Sequence, residues 1–363
     1  MIQRLVFRNL FHRPVRTGLT VLAVAVEVAM IVMMVGVAEG LLQESLRRTR
    51  GVGADILIRP YISGATISTA DISAKLPDLL VERFPDISHT LGVTLHTPGD
   101  LQTITGVDWD ELEAMSGGVV LFEGRPYEAP YEAVVDELYA RQRDLSVGDG
   151  IELMGHDFEI TGVSETGKMS RVFIPLETMA ELQGWQGRYS LLYLKLDDSS
   201  KVRGIIEEIR ARLPDRNVSS VEDFLATVTT DVRQMSTQYT NIIIGIAVVI
   251  GFIVVMLAMY TAILERIREI GILKAIGASK RLVGTIVMRE TLVVSALGIL
   301  VGYGLSLAGR ELVALKYPLI PVLIIPHWLA IAAGLTIAGS IAGASYPAWK
   351  AASADPCEVL SYE

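Results

Sequence analysis

The amino-acid sequence predicts a membrane α-helical protein with four transmembrane helices and a large extracytoplasmic α/β (α+β) domain of two lobes, inserted between helices 1 and 2. Three observations lead to this fold class. The 363 residues are 51% hydrophobic with a mean hydropathy of +0.43, which exceeds what a soluble protein of this length needs. The chain contains four long apolar runs. About 200 residues with the pattern of a soluble domain separate the first run from the second.

Each apolar run is long enough to cross the hydrocarbon layer of a bilayer, which takes about 20 residues of helix. We place the spans at 18–40, 241–263, 285–308 and 327–347. The first run is too long for the apolar core of a signal peptide, lacks a small-residue cleavage site after it and contains Glu27. We therefore interpret it as a retained anchor.

Basic residues concentrate before the first span and between the second and third, which predicts that both segments are cytoplasmic. They are Arg4, Arg8, Arg13, Arg16, Arg266, Arg268, Lys274, Lys280, Arg281 and Arg289. Four spans then place both termini in the cytoplasm and the domain at 41–240 outside, with a short outer loop at 309–326. The tail at 348–363 is cytoplasmic. Segment 1–17 interleaves apolar and basic residues, which predicts an amphipathic helix in the inner interface.

The domain at 41–240 alternates short β-rich runs with helical patterns, and we interpret this as two α/β lobes. The strands are predicted at 54–58, 150–153, 158–163, 172–174 and 191–196. The helices are predicted at 74–83, 133–141, 176–182 and 202–213. A polar helix at 221–240 then runs into the second span.

No catalytic or metal-binding constellation stands out. The histidines, at positions 12, 89, 96, 156 and 327, have neither metal-ligand spacing nor a nucleophile motif nearby. The single cysteine, Cys357, excludes an intrachain disulfide, a zinc cluster and a redox pair. A net charge of −9 without a basic tract argues against nucleic-acid binding. The sequence G-x-x-x-x-G-K-[ST] is absent, so we expect no cofactor on this chain and any ATP with its Mg on a partner.

The connection at 264–284 is the most informative segment. Ile267, Ile270, Leu273 and Ile276 recur at helical spacing and predict one apolar stripe among charged residues. Gly277 is placed for a left-handed helix end, and Ser279 for the cap of the next helix. Two interpretations remain open: a basic helix on lipid headgroups, or a helix that docks on a cytoplasmic subunit.

The residues ERIREIGILKAIGAS at 265–279 resemble the signature of the FtsX/MacB-like family of ABC transporter permeases (type VII, mechanotransmission type). The ending YPAWKAASADPCEVLSYE at 346–363 and the opening NLFHRPVRTGLTVLAVAV at 9–26 are similar to the family too, although Cys357 stands where an aliphatic residue is more usual. Two outer segments, 121–153 and 173–184, look like the family's periplasmic domain. The resemblance therefore covers nearly the whole chain.

The resemblance implies a permease in the bacterial plasma (inner) membrane, with ATP hydrolysed by a separate ATPase subunit in two copies. The second permease subunit would be another copy or a related chain, and a periplasmic adaptor or lipoprotein and membrane lipids are further expected partners. The ATPase would dock on Glu265, Arg266, Arg268, Glu269, Ile270, Gly271, Lys274, Ala275, Gly277, Ala278 and Ser279. The expected function is efflux or extraction of an amphipathic or hydrophobic peptide, lipid, lipoprotein or drug. The alternative is an FtsX-like regulator that activates cell-wall hydrolases without transport.

Two further features lie within the spans. Glu27 falls near the middle of span one, where an ionised group costs at least about 2.5 kcal/mol. A role at a subunit interface or toward a substrate headgroup, and a packing role, both remain open for it. Gly298 with Gly302, and Gly339 with Gly343, place small residues four apart and predict close helix packing.

Overall fold

The computed structural model describes residues 14–61, 70–97 and 103–354, and the chain forms two compact units. The helical unit comprises Met1–Gly40, Gln234–Leu315 and Ile320–Glu363. The sheet unit comprises Leu41–Arg233 and Lys316–Leu319. The first 13 residues, which include most of the predicted interfacial helix, and the tail from 355 onward with Cys357 lie outside the described residues.

Ten α-helices lie within the described ranges. They are α1 (Pro14–Arg50), α2 (Leu76–Arg83), α3 (Trp109–Ser116), α4 (Glu137–Arg143), α5 (Leu176–Gln183), α6 (Val202–Arg212), α7 (Val221–Glu265), α8 (Ile267–Ala275), α9 (Lys280–Lys316) and α10 (Pro326–Ser353). A 3-10 turn at Ser199–Lys201 precedes α6.

Four helices of the described chain are long and apolar enough to cross a membrane: α1, α7, α9 and α10. Each of them contains one of the apolar runs of the sequence, and α1, α7 and α9 extend well beyond these runs. Lys316 ends α9 and Pro326 begins α10, so the connection between these two helices is shorter than the outer loop expected from hydropathy at 309–326. Helical backbone continues past an apolar run because its hydrogen bonds are local and do not depend on lipid.

The sheet unit is built on one mixed sheet. Its strands are β1 (Ile56–Pro60), β3 (Ile87–His96), β4 (Ile104–Val107), β5 (Leu121–Gly124), β6 (Glu132–Asp136), β7 (Gly150–Leu153), β8 (His156–Ser164), β9 (Val172–Pro175), β11 (Leu191–Leu196) and β12 (Arg216–Ser220). Their order is β12-β1-β11-β3-β4-β9-β6-β8-β5, with β7 also on β8. The β4–β9 and β6–β8 pairs are parallel and the others antiparallel. A separate small ribbon pairs β2 (Ile72–Ser73) with β10 (Arg188–Tyr189).

Successive side chains along each strand point to opposite faces, so the hydrophobic core is divided between the two faces of this sheet. In β1, Leu57 packs on one face with α3, whereas Ile56 and Ile58 pack on the other with α2 and α6. The second face carries another cluster, around Ile160, in which α4 and α5 cover the β9-β6-β8 half. The two predicted lobes are therefore two helix-covered halves of a single sheet.

One predicted helix in this unit is wrong. The segment 133–141 was expected to be helical, but its first residues form strand β6, and α4 begins only at Glu137. The β-branched pair Val134 and Val135 is fully buried between sheet neighbours. Asp136 then accepts a hydrogen bond from the Tyr139 N–H at 2.6 Å and caps the helix. Burial in a central strand outweighed the local helical periodicity.

Candidate functional site

The segment at 264–284 folds as a short helix with a break at each end. Helix α7 ends at Glu265, and Arg266 has non-helical backbone (φ −113°, ψ 17°) before α8 begins. Beyond α8, Gly277 adopts φ +99°, the left-handed conformation expected for it. The Ser279 hydroxyl accepts a hydrogen bond from the Leu282 N–H at 3.3 Å, which confirms the predicted cap of α9.

Arg266 points into the helical unit at the first break. Its Nη2 donates to both carboxylate oxygens of Glu290 in α9, at 2.8 and 3.0 Å, and its Nε donates to the Ala262 carbonyl at 3.3 Å. Glu290 is only 3% exposed. A single guanidinium thus joins the last turn of α7 to a buried carboxylate of α9.

Lys274 also points inward, in the last turn of α8. Its ammonium donates to the Ala352 carbonyl at 3.0 Å and to the Ala354 carbonyl, both at the C-terminal end of α10. These carbonyls have no partner further along the helix, so a lysine is a suitable donor for them. Gly271 is buried, and Ile270 packs partly against the cluster of Ile263, Val283, Val287, Ala348 and Ala351.

The remaining predicted docking residues are mostly on the outside. Glu265, Arg268, Glu269, Ala275, Gly277 and Ser279 are exposed, and Ala278 is half-buried. Glu265 also accepts a 2.6 Å hydrogen bond from Arg16. Two isoleucines lie among them: Ile272 is 48% exposed and Ile276 is 78% exposed.

The predicted apolar stripe is therefore only partly correct. Ile267, Ile270 and Leu273 are half-buried, but Ile276 lies beyond the end of α8 and faces out. Ile272 was not among the predicted docking residues, although its spacing from Arg268 and Ile276 is four residues each way, which places the three along one side. We call the exposed set Glu265, Arg268, Glu269, Ile272, Ala275 and Ile276 the docking face.

Glu27 is buried in the helical unit, with 7% of its surface exposed. Its carboxyl group lies against the Cα of Gly251 in α7. Within the part of the chain that the structure describes, Glu27 forms no hydrogen bond or ion pair. The contact is compatible with a packing role, and a role at a subunit interface or toward a substrate headgroup stays a prediction.

Three of the four predicted packing glycines lie in close helix contacts. A Cβ at Gly298 would come within 2.5 Å of Val24, and one at Gly302 within 2.8 Å of the Ala25 carbonyl, so both face α1. A Cβ at Gly343 would meet the Phe252 carbonyl of α7 at 2.6 Å. Gly339 is looser, with its nearest neighbour, Val248, at 3.6 Å.

No cluster of three or more potential metal-ligating side chains occurs in the described ranges. Residues 162–168 match the first seven positions of a phosphate-binding loop, but Met169 replaces the required hydroxyl residue. This stretch also connects strand β8 to strand β9, whereas a phosphate-binding loop leads from a strand into a helix. It therefore lacks both the magnesium ligand and the helix N-terminus of such a site.

Sequence comparison links both units to known families. Residues 17–212 match the MacB-like periplasmic core domain, and residues 241–356 match the FtsX-like permease C-terminal domain. The macrolide export ATP-binding/permease protein MacB of Azoarcus sp. (strain BH72) is 27% identical over 98% of this chain and 58% of its own length. The uncharacterized ABC transporter permease YknZ of Bacillus subtilis (strain 168) is 29% identical over 60% of this chain and 55% of its own length.

Among solved structures, the periplasmic region of MacB from Actinobacillus actinomycetemcomitans aligns with 50% of this chain and 95% of its own length, at 14% identity and a TM-score of 0.36. The chain spans 58% to 60% of the length of the MacB relatives from Azoarcus and Nitrobacter winogradskyi. Together the two matched domains include more than half of the chain and overlap all four candidate spans. This chain belongs to the family of MacB-like and FtsX-like ABC transporter permeases.

Proposed function

We propose that this chain is the membrane subunit of an ABC transporter, and that a separate ATPase subunit binds the docking face of α8. The observation that carries the proposal is the exposure of Ile272 in α8 and of Ile276 just beyond its end. Both lie beside charged residues, in a segment between two backbone breaks. Exposed apolar side chains rimmed by charged ones are typical of protein–protein contacts.

The charge of the docking face favours a protein partner over lipid headgroups. Glu265 and Glu269 are acidic, Arg268 is basic, and Arg16 pairs with Glu265, so the face carries no excess of positive charge. Anionic headgroups attract clusters of lysine and arginine and repel acidic side chains. A helix that lies on such headgroups needs a predominantly basic polar face.

We propose that the partner binds ATP and Mg; a complete phosphate-binding loop motif does not occur in these 363 residues. The names of the MacB relatives combine ATP binding and permease in one protein, of which this chain spans 58% in the Azoarcus case. We propose an assembly of two ATPase subunits with two permease subunits, the second being a copy of this chain or a related one. A periplasmic adaptor or lipoprotein is a further proposed partner.

In this proposal ATP hydrolysis moves the sheet unit on the periplasmic or extracellular side, with both termini and α8 in the cytoplasm. Helices α1 and α7 each contain residues of both units, so they provide covalent routes for the motion. The substrate class is an amphipathic or hydrophobic peptide, lipid, lipoprotein or drug. Macrolide export in the names of several relatives supports an amphipathic substrate.

The test is binding of ABC ATPase subunits from the same organism to the purified permease in lipid nanodiscs. The double variant Ile272→Asp/Ile276→Asp should weaken this binding by about thirtyfold or more, as expected when central apolar contacts are lost. Leu79→Asp, at an exposed leucine of α2 (59% exposed), is the matched control and should bind like the wild type. Equal binding of the double variant and the wild type would show that the ATPase does not bind the docking face.

A second measurement separates transport from regulation. Added amphipathic substrates should stimulate ATP hydrolysis by the reconstituted complex if it is a transporter. Stimulation by a cell-wall hydrolase, with no response to any such molecule, would instead identify an FtsX-like regulator. Protease cleavage within 265–279 from outside intact cells would contradict the proposed orientation.

A further inference from the structure

We infer that Arg266 with Glu290, and Lys274 with the C-terminal carbonyls of α10, are two clamps that fix α8 to the helical unit, so that force applied to α8 reaches α9 and α10 as well as α7. This inference deepens the proposed function and rests on it for the source of the force. By this inference the charged residues at 265–279 form two sets: one set binds the ATPase, and the other fixes α8 to the neighbouring helices.

The need for clamps follows from the backbone of the segment. Helix α8 has nine residues and is separated from α7 by the non-helical Arg266 and from α9 by the left-handed Gly277. An isolated helix of this length is marginal in water, and the breaks interrupt the hydrogen-bonded ladder at both ends. Without side-chain attachments, α8 would pivot under load instead of moving its neighbours.

The first clamp lies at the α7–α8 break. Both oxygens of the Glu290 carboxylate are bound by the Arg266 guanidinium, which also reaches the Ala262 carbonyl. Besides the pair itself, the surrounding cleft is lined by Glu269 and by apolar side chains, among them Ile263 and Val287. The apolar side chains reduce screening by water. A paired carboxylate in such a place is tied to its cation, because separation would leave a buried charge without a partner.

The second clamp lies one turn from the other break. The Lys274 ammonium bridges the Ala352 and Ala354 carbonyls, where α10 presents unsatisfied acceptors and the negative end of its dipole. Partly buried Ile270 reinforces this contact through the cluster that contains Ala348 and Ala351 of α10. The two clamps are eight residues apart along the chain, so they hold α8 near both of its ends.

The docking face is formed by other residues of the same segment, which lie between the two clamp residues and directly beside them. Arg268 and Glu269 are exposed, and neither takes part in a clamp. The side chains of Arg268 and Glu269 thus face outward, whereas those of Arg266 and Lys274 point into the helical unit. In these terms Arg266, Glu290 and Lys274 are positioning residues for coupling and do not themselves form the docking face.

The clamps are tested first on the permease alone, in nanodiscs. Spin labels at Ile272→Cys and Leu282→Cys, in a Cys357→Ala background, report the distance between α8 and α9. Glu290→Gln and Lys274→Met should broaden a narrow wild-type distance distribution about twofold or more. Lys280→Met, which removes an exposed ammonium from the start of α9, is the matched control and should leave it unchanged.

A charge swap distinguishes the loss of the Arg266–Glu290 pair from a general loss of stability. Arg266→Glu and Glu290→Arg should each broaden the distance distribution. The double variant should recover much of the narrow wild-type distribution. Recovery in the double variant is the signature of a direct pair, which non-specific unfolding does not give. Unchanged distances in Glu290→Gln and Lys274→Met would overturn the inference whether or not any ATPase binds.

The second stage uses unlabelled variants with ABC ATPase subunits from the same organism. Glu290→Gln and Lys274→Met should bind them with a Kd within about twofold of wild type, because the docking face is intact, but lose about tenfold of the permease-dependent stimulation of ATP hydrolysis. Full stimulation despite broadened distances would overturn the coupling role. If the wild type itself bound no such ATPase, the proposed function would fail, and the distance measurements would still decide whether the clamps exist.

Discussion

The carboxyl group of Glu27 in α1 lies directly against the backbone of Gly251 in α7, where an added Cβ would come within 1.9 Å of Oε2. Gly251 leaves the space that the acidic side chain occupies. A polar group inside a helical bundle that spans a membrane therefore has a glycine opposite it on the neighbouring helix. The contact makes these two positions interdependent.

Gly251→Ala should lower the stability of the helical unit, because the new methyl group displaces the Glu27 carboxyl group inside a packed interface. We expect a loss of about 1–3 kcal/mol, the usual cost of overpacking. Thermal unfolding of the purified chain in detergent measures it. Glu27→Ala should restore stability to Gly251→Ala in a double-mutant cycle. Additive effects of the two changes would show that the contact is unimportant.

Gly343→Ala should be harmful, whereas Gly339→Ala in the same helix should be harmless. A Cβ at position 343 meets the Phe252 carbonyl, a backbone atom that cannot rotate away, while one at position 339 finds ordinary contacts at 3.6 Å or more. We expect a loss of about 1–3 kcal/mol for the first and a gain of up to about 1 kcal/mol for the second, from helix propensity. Equal melting temperatures for the two variants would contradict this packing.

Asp136 should make the sheet unit less stable as pH rises toward neutrality. Its burial, opposed by the Tyr139 N–H and by Arg171 and Arg48, raises its pKa from 3.8 to about 6. Because the folded state holds this proton more tightly than the unfolded chain does, the stabilisation is complete below pH 3.8 and is lost as pH rises through about 6. The total effect is about 3 kcal/mol.

Asp136→Asn removes that titration, so the variant should gain stability relative to wild type between pH 4.5 and 7. The difference between the two melting curves isolates this group from the other carboxylates, which titrate in both proteins. A pH-independent difference would mean that Asp136 has an ordinary pKa in the folded protein.

Tyr127→Phe should destabilise the sheet unit by about 1–2 kcal/mol, because it removes a buried hydrogen bond. The Tyr127 hydroxyl donates to the Val107 carbonyl at 2.7 Å, and its ring packs edge-on against Trp109. Unfolding of the full chain, followed by tryptophan fluorescence, measures the change. Tyr131→Phe, at a residue that is 39% exposed, should cost less than about 0.5 kcal/mol. The opposite ranking would contradict this account.

The sequence by itself determined the four apolar helices, their order, the inserted α/β domain, the left-handed Gly277 and the helix cap at Ser279. These features depend on residues close together in the chain: hydropathy adds up over one span, and a helix end is fixed by its own glycine or cap. Regular strands such as β11 and amphipathic helices such as α6 were predictable for the same reason.

Only the tertiary structure decided which side chains of the motif at 265–279 face inward. Arg266 and Arg268 have the same chemistry, but their roles differ because Glu290, 24 residues away from Arg266, reaches only one of them. The sequence likewise did not predict the strand at Val134 and Val135 or the contact of Glu27 with Gly251. Both depend on neighbours from distant parts of the chain. Local pattern fixes the elements, and the packing of distant residues against one another fixes what each side chain does.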